Sequence, residues 1–195
     1  MNQESAASLE ITSMGVDNRK LGVWIWLGSE AVFFSALIIV YIVMRNNSVN
    51  GPFPREALNV SLTAANTFIL ICSSLTMVTA LSAIQSGSQR GLWRWLVGTM
   101  ALGLAFLTGQ AIEFTSLAHQ GLSLSSNLFG GTFFTLTGFH GAHVLIGVIW
   151  IGFVVARTLR GGYTQSNHLM VELAGLYWHF VDLVWIIIFT IVYLI

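Results

Sequence analysis

Two histidines, His140 and His143, are the side chains best placed to do chemistry, because they lie in an apolar stretch, 128–156, that contains no charged residue. On a helix they are one turn apart and share a face. Imidazoles in this setting can be hydrogen-bonded structural groups, metal ligands, or parts of a proton or ligand path. Since buried histidines are usually hydrogen-bonded, the pattern favours the structural interpretation over the other two.

Three further ionisable side chains, Glu30, His179 and Asp182, lie inside apolar stretches. At 1.5 Å per helical residue, all five fall about 14 to 22 Å deep, close to the middle of a bilayer. A lone charge there costs at least a few kcal/mol, so each group must be neutral, paired or turned toward protein. His179 and Asp182 are one turn apart and could neutralise each other. Glu30 has no titratable partner on its own helix, so it needs one across an interface or stays protonated.

A metal site is the competing interpretation of these residues. Histidines and carboxylates from separate helices could hold zinc or two irons. The remaining intramembrane carboxylates, however, do not fit such a site. Glu113, which shares a helix face with Gln110, lies near the far end of its helix, and its depth differs from that of the other groups by about 15 Å. Glu172 lies at the start of the last apolar stretch, and there is no Glu-x-x-His pair. We therefore predict no metal site and no catalytic residue in this chain.

The composition determines which elements position these side chains. Hydrophobic residues make up 55% of the 195, charged residues only 8%, and the mean hydropathy is +0.76. Soluble domains carry roughly 25% charged residues, so an integral membrane protein is indicated. A net charge of zero gives no basic surplus for nucleic acid, and Cys72, as the single cysteine, excludes an intrachain disulfide.

The apolar stretches predict an all-α bundle of five transmembrane helices that forms one domain, 21–195. Residues 1–20 are polar and lack the pattern of a signal peptide, so they are predicted to form a cytoplasmic tail. A small-residue ladder, Ala101, Ala105 and Gly109, predicts a close-packing face on the third helix. The predicted spans are 21–44, 60–84, 92–118, 129–159 and 169–195, each long enough to cross a hydrocarbon core of about 30 Å.

The distribution of Lys and Arg predicts the orientation. Six of these residues fall on the N-terminal side of the spans and two on the other side. Positive residues are enriched in cytoplasmic loops, so the N-terminus is predicted to be cytoplasmic and the C-terminus outside, in the periplasm. The six are Arg19, Lys20, Arg90, Arg94, Arg157 and Arg160, and the two are Arg45 and Arg55.

Three strings of this sequence resemble subunit III of the haem-copper respiratory oxidases, and the resemblance covers nearly all of the chain from Leu21 onward. Longer members of that family have seven helices, whereas this chain resembles the five-helix bacterial form that lacks the first two. The strings are GSEAVFFS at Gly28–Ser35, FGGTFFTLTGFHGAHVLIG at Phe129–Gly147, and ELAGLYWHFVDLVWIIIFTIVYL at Glu172–Leu194.

The resemblance implies a non-catalytic subunit, in a bacterial cytoplasmic membrane, of a complex that reduces dioxygen to water and pumps protons. Haems and copper would be held by partner subunits I and II, with none in this chain, and a small subunit IV is a further possible partner. Glu30 matches the family's carboxylate on the helix packed toward subunit I, and Arg157 matches a position that contacts a bound phospholipid head group. The midplane polar cluster of the family corresponds to His140, His143, His179 and Asp182.

The implied supporting roles are stabilising subunit I, holding lipid beside an oxygen route and helping protons reach an uptake entrance. Two alternatives stay open at this stage. One is an accessory subunit of a nitric oxide reductase, and the other is a free-standing metal-dependent membrane enzyme that uses the midplane groups directly. The electron donor, cytochrome c or a quinol, is also left open, because donor sites lie on other subunits.

Overall fold

The computed structural model describes residues 17–45 and 58–195, and within these ranges the protein is built from α-helices with no strand. Five of the helices are long and apolar enough to cross a membrane, which confirms the predicted all-α, five-span architecture. Most of the predicted tail and of the first loop lies outside the described residues. The helices are α1 Asn18–Met44, α2 Val60–Gln85, α3 Gln89–His119, α4 Leu128–Leu159 and α5 Leu169–Phe189, and a π-helical turn, Thr190–Leu194, continues α5.

Helices α1 to α4 each begin at a side chain that caps the first turn, which satisfies backbone N–H groups that have no partner within the helix. These caps explain why α1 and α3 each begin three residues before the hydrophobic boundary predicted from the sequence. The caps are Asp17 to the Arg19 amide (2.8 Å), Asn59 to Leu62 (3.1 Å), Ser88 to Gly91 (3.1 Å) and Asn127 to Gly130 (2.7 Å). The turn after α2 contains Gly87 at φ 79°, a conformation that favours glycine, so α2 and α3 form a tight antiparallel pair.

Helix α5 lies at the centre of the bundle and α1 at its edge. Helix α5 packs against α1, α2 and α4. Half of the residues in its most apolar segment are buried, against 17% in the corresponding segment of α1. Helix α4 packs against α1, α3 and α5, and α2 packs most extensively against α3. The start of α1 and the 86–88 and 160–168 turns share one end of the bundle, which we call the Lys20 end. The opposite end, with Arg45, is the Arg45 end.

Two buried tryptophans of α5 attach it to α2. Trp178 Nε1 donates to Ser73 Oγ and Trp185 Nε1 donates to Thr67 Oγ1, each at 2.9 Å. Both rings are about 1% exposed, so their only polar atom needs a protein partner in this apolar environment. The hydroxyl-rich sequence of α2 is thus used to satisfy donors on its neighbour.

The predicted small-residue face of α3 is wrong for two of its three members, because Ala101 and Ala105 are exposed. The buried face instead follows a seven-residue repeat in which steps of three and four alternate, and it includes polar side chains. Its members are Leu92, Leu96, Thr99, Gly103, Phe106, Gln110, Glu113 and Leu117. Polar groups that need partners, rather than small residues, therefore determine which side of α3 faces the bundle.

Gly103 and Gly98 give a matched test of this packing. A Cβ atom at Gly103 would lie 2.6 Å from Cη2 of the buried Trp178, whereas one at Gly98 meets nothing within 4 Å. Both Gly→Ala changes gain up to about 1 kcal/mol of helix propensity, but Gly103→Ala adds an overpacking cost of about 1 to 3 kcal/mol. We expect Gly103→Ala to lower the midpoint of detergent-induced unfolding and Gly98→Ala to keep or raise it. Equal midpoints for the two variants would contradict the close approach of Trp178.

Candidate intramembrane polar site

Glu30 on α1 finds its partner across a helix interface, on α4. Its Oε2 lies 3.2 Å from His143 Nε2, and Trp26 Nε1 donates to its Oε1 at 3.1 Å. The other ring nitrogen, His143 Nδ1, lies 2.7 Å from the carbonyl oxygen of Phe139. A carbonyl can only accept, so Nδ1 carries a hydrogen. One proton is therefore shared between His143 Nε2 and Glu30 Oε2, which leaves the pair either neutral or an ion pair.

Aromatic rings enclose the Glu30–His143 contact and tie it to α5. Phe34 lies edge-on to the His143 ring at 4.9 Å, and Trp26 is stacked on Tyr177 at 5.2 Å. Tyr177 also donates from its hydroxyl to the carbonyl oxygen of His143 at 2.9 Å. The contact thus holds three helices together: α1, α4 and α5.

His140, one turn from His143, does not join that contact. Its side chain is fully buried, and neither ring nitrogen has a hydrogen-bond partner among residues 17–45 and 58–195. The ring is stacked on Trp185 at 4.8 Å and lies edge-on to Phe106 at 5.8 Å. The expectation that it would be hydrogen-bonded is therefore not met by these residues, and His140 packs as an aromatic ring between α3, α4 and α5.

His179 and Asp182 are brought together by a third residue that the sequence analysis did not single out. Ser74 Oγ on α2 lies 2.9 Å from His179 Nδ1 and donates to Asp182 Oδ2. The direct pairing expected from their helical spacing is thus replaced by a bridge through Ser74. Asp182 is 5% exposed, and its second oxygen, Oδ1, has no partner within the described part of the chain.

Gln110 and Glu113 are both buried on α3 but belong to separate contacts near the Arg45 end. Glu113 accepts hydrogen bonds from the Thr63 hydroxyl at 2.9 Å and from the Tyr193 hydroxyl at 3.0 Å. Gln110 Nε2 donates to the carbonyl oxygen of Thr137 at 2.7 Å. Glu113 therefore joins α3 to α2 and to the π-helical turn, away from the midplane histidines.

Glu172 and Arg157 lie at the Lys20 end. Glu172 forms ion pairs with Lys20 Nζ at 3.2 Å and with His168 Nε2 at 3.1 Å, and the latter depends on His168 being protonated. The exposed Arg157 guanidinium lies over the Tyr163 ring, 5.4 Å from its centroid. Burial raises the pKa of the Tyr163 hydroxyl, which the nearby positive charge of Arg157 partly opposes.

The midplane residues predicted as one cluster are therefore divided into the Glu30–His143 pair, the isolated His140, and the His179–Ser74–Asp182 group. Among the described residues, no three His, Cys, Asp or Glu side chains are placed to hold a metal ion. The residues that sequence reasoning missed are mainly hydroxyl donors. The signal for them was present, because α2 is rich in Ser and Thr despite its apolar character.

Comparison with known proteins decides the family. The family model for cytochrome c oxidase subunit III matches residues 1–195. Quinol oxidase subunit 3 of Bacillus subtilis (strain 168) is 40% identical over 174 residues, 89% of this chain and 85% of the relative. Cytochrome c oxidase subunit 3 of the same organism is 37% identical over 189 residues, 96% and 91% of the two chains. The chain belongs to the cytochrome c oxidase subunit III family.

A third relative, cytochrome c oxidase subunit 3 of Synechocystis sp. (strain ATCC 27184 / PCC 6803 / Kazusa), is 41% identical over 182 residues, 91% of this chain and 76% of the relative. The chain is thus a subunit III of a haem-copper oxidase, a multi-pass membrane protein that works in a multi-subunit complex. The family match confirms the resemblance that was based on the three sequence strings containing Glu30, His140 and Asp182.

Two substitutions of Glu30 separate its hydrogen bonds from its charge. Glu30→Gln keeps the shape and a hydrogen-bonding group facing His143, so we expect subunit III to fold and assemble as in the wild type. Glu30→Ala leaves Trp26 Nε1 and His143 Nε2 without this partner, which costs roughly 1 to 3 kcal/mol. The measurement is the thermal midpoint at which subunit III leaves the purified complex. A Gln variant as unstable as the Ala variant would show that the carboxyl group, and not its hydrogen bonds, is what the site needs.

Proposed function

We propose that this subunit III is a non-catalytic member of a bacterial terminal oxidase that reduces dioxygen to water and pumps protons. The observation that carries the proposal is the family match over the whole chain, 1–195. We place the protein in the bacterial cytoplasmic membrane, with subunit I as its main contact and with subunit II and a small subunit IV as further partners. Haems and copper are assigned to subunits I and II.

Its proposed role is to form a stable helix bundle that packs beside subunit I. The bundle is suited to this because its intramembrane polar contacts join helices: Glu30 to His143, Ser74 to Asp182, and Glu113 to Tyr193. The family resemblance implies that α1 faces subunit I, and the exposed face of α1 is suited to pack there. That face is apolar and continuous over several turns, with Ile25, Val32, Ile39 and Val43 each more than half exposed.

The relatives reported above favour an oxidase over a nitric oxide reductase, since their names are those of quinol and cytochrome c oxidase subunits. The relatives include subunits of both quinol oxidases and cytochrome c oxidases. No contact in the described structure favours a free-standing metal enzyme.

Removal of subunit III tests the supporting role. In membranes from a strain lacking this chain, we expect the haem absorption spectrum and the initial rate of oxygen consumption to be largely kept. Activity should then decay faster with each turnover, because subunit I has lost a packed neighbour and its lipid. The checks are an oxygen-electrode trace to exhaustion and a haem spectrum before and after. Loss of haem on removal would contradict a supporting role.

We further propose that Arg157 binds the phosphate of a phospholipid head group. It is exposed at the Lys20 end, close to the last turn of an apolar helix, and Tyr163 supports its guanidinium from one face. Arginine binds phosphate through two parallel N–H groups, and an interfacial position brings it level with lipid head groups.

Arg160 supplies the control for Arg157, since it is an exposed arginine at the same end of the bundle, three residues further along. We expect Arg157→Gln to lower the phospholipid retained per purified complex and Arg160→Gln to leave it unchanged. Phosphorus analysis with lipid mass spectrometry gives the measurement. The same retained lipid in both variants would overturn the assignment to Arg157.

The proposed orientation places the Lys20 end in the cytoplasm and the Arg45 end outside, from the six-to-two distribution of Lys and Arg. Ser86 and Ser125 are exposed at the Lys20 and Arg45 ends respectively. In a Cys72→Ser background, we expect an impermeant thiol reagent added to intact cells or spheroplasts to label Ser125→Cys and not Ser86→Cys. Labelling of Ser86→Cys from outside would reverse the topology.

A further inference from the structure

An open cavity of about 380 Å³ lies at the Lys20 end of the bundle, between α1, α2 and α5. The Lys20–Glu172 ion pair and the His179 ring contribute its polar groups, and Trp24, Met77, Leu81 and Leu176 are among its apolar lining. His179 lies seven residues beyond Glu172 on α5, about 10 Å further along the helix axis. The cavity is large enough for several water molecules, which Lys20, Glu172 and His179 can bind, and the imidazole of His179 can exchange protons.

His179 connects the cavity to a buried carboxyl group. Its ring lines the cavity, while its Nδ1 lies 2.9 Å from Ser74 Oγ, which donates to Asp182 Oδ2. Asp182 lies about 5 Å deeper than His179 along the helix axis. From the Lys20 end, the order is thus the ion pair, the cavity, the His179 imidazole, the Ser74 hydroxyl and the Asp182 carboxyl group. The last three groups are each at hydrogen-bond distance from the next.

The single hydroxyl hydrogen of Ser74 fixes the direction of the hydrogen bonds that connect His179, Ser74 and Asp182. When Asp182 is ionised, Ser74 donates to it, so Ser74 Oγ must accept from His179 Nδ1–H. His179 Nε2 then carries a lone pair. When Asp182 is protonated, the order reverses: Asp182 donates to Ser74, Ser74 donates to Nδ1, and the hydrogen of the ring is on Nε2.

We propose that Asp182 is a proton-binding site loaded from the Lys20 end through this cavity, His179 and Ser74. A proton from cavity water binds His179 Nε2. The Nδ1 hydrogen passes to Ser74 Oγ, and the Ser74 hydrogen passes to Asp182 Oδ2. Three protons each move one bond, one positive charge enters, and the Asp182 carboxylate becomes a carboxylic acid. No group has to rotate for one loading step.

Comparison with the other ionisable groups near α5 identifies the route through His179 as the hydrogen-bonded connection to Asp182. On the helices around it these are Lys20, Glu30, Tyr41 and Arg45 at α1, Cys72 of α2, Glu113 of α3, and His140 and His143 of α4. On α5 and its π-helical turn they are Glu172, Tyr177, His179 and Tyr193. Of these, His179 is the one that shares a hydrogen-bond partner with Asp182 among the described residues. Glu30 and Glu113 have other partners.

The site goes beyond the proposed supporting role, because it gives this chain a proton-exchanging group of its own. The test of this site does not depend on that role, because the infrared measurements are made without turnover.

Infrared spectroscopy of the purified oxidase complex tests the site, with the haem redox state held fixed. On lowering the pH, we expect a carboxylic acid C=O band that is missing in Asp182→Asn and kept in Glu30→Gln and Glu113→Gln. Haem absorbance and subunit stoichiometry check that each variant is assembled. A band unchanged in Asp182→Asn, or no pH-dependent band in the wild type, would overturn the proton-binding site.

The rate at which that band shifts after rapid mixing with D₂O tests the route. Ser74→Ala removes the bridging hydroxyl, and losing one hydrogen bond of the chain should slow the shift about tenfold. Ser74→Thr keeps the hydroxyl and should restore a rate near that of the wild type, which a purely structural role for Ser74 would not require. A Ser74→Ala variant as fast as the wild type would contradict loading through Ser74.

Discussion

The high cost of an unpaired polar group in a low-dielectric environment is the constraint on which this structure depends. Apolar side chains have little reason to prefer a neighbouring helix over lipid, so hydrogen bonds and close packing must hold the bundle together. Each intramembrane carboxyl group here reaches a side chain on another helix: Glu30 reaches His143, Asp182 reaches Ser74, and Glu113 reaches Thr63. The polar residues therefore determine how the helices are rotated toward one another.

Aromatic packing completes what the polar contacts begin. Trp178 fits against Gly103 and Gly147 while its Nε1 bonds to Ser73, so one residue of α5 contacts α2, α3 and α4. His140 shows the other way to place a polar ring at the midplane, as an imidazole stacked on Trp185. The two histidines of one helical turn thus differ, because His143 faces the carboxyl group of α1 and His140 faces aromatic rings.

The fold could be predicted from the sequence more completely than the site. Low charge and long apolar stretches are sufficient to predict five spanning helices, and capping residues such as Asp17 and Ser88 account for the exact boundaries that hydropathy missed. The division of the midplane residues could not be predicted, since it depends on which helices are neighbours and how each is rotated. Ser74 lies among many similar hydroxyls of α2, and nothing in its spacing singles it out as the bridge between His179 and Asp182. The small residues Ala101 and Ala105 were misleading for the same reason.

We propose that these polar side chains hold together a non-catalytic subunit that packs beside the catalytic one. A high-resolution cryo-electron microscopy structure of the oxidase that co-purifies with this chain tests it most directly. We expect one copy of the chain with the exposed α1 face against subunit I, the Glu30–His143 and Ser74–Asp182 contacts intact, and the haems and copper in other subunits. A metal ion bound by His140, His143 or His179, or α1 facing lipid away from subunit I, would contradict it.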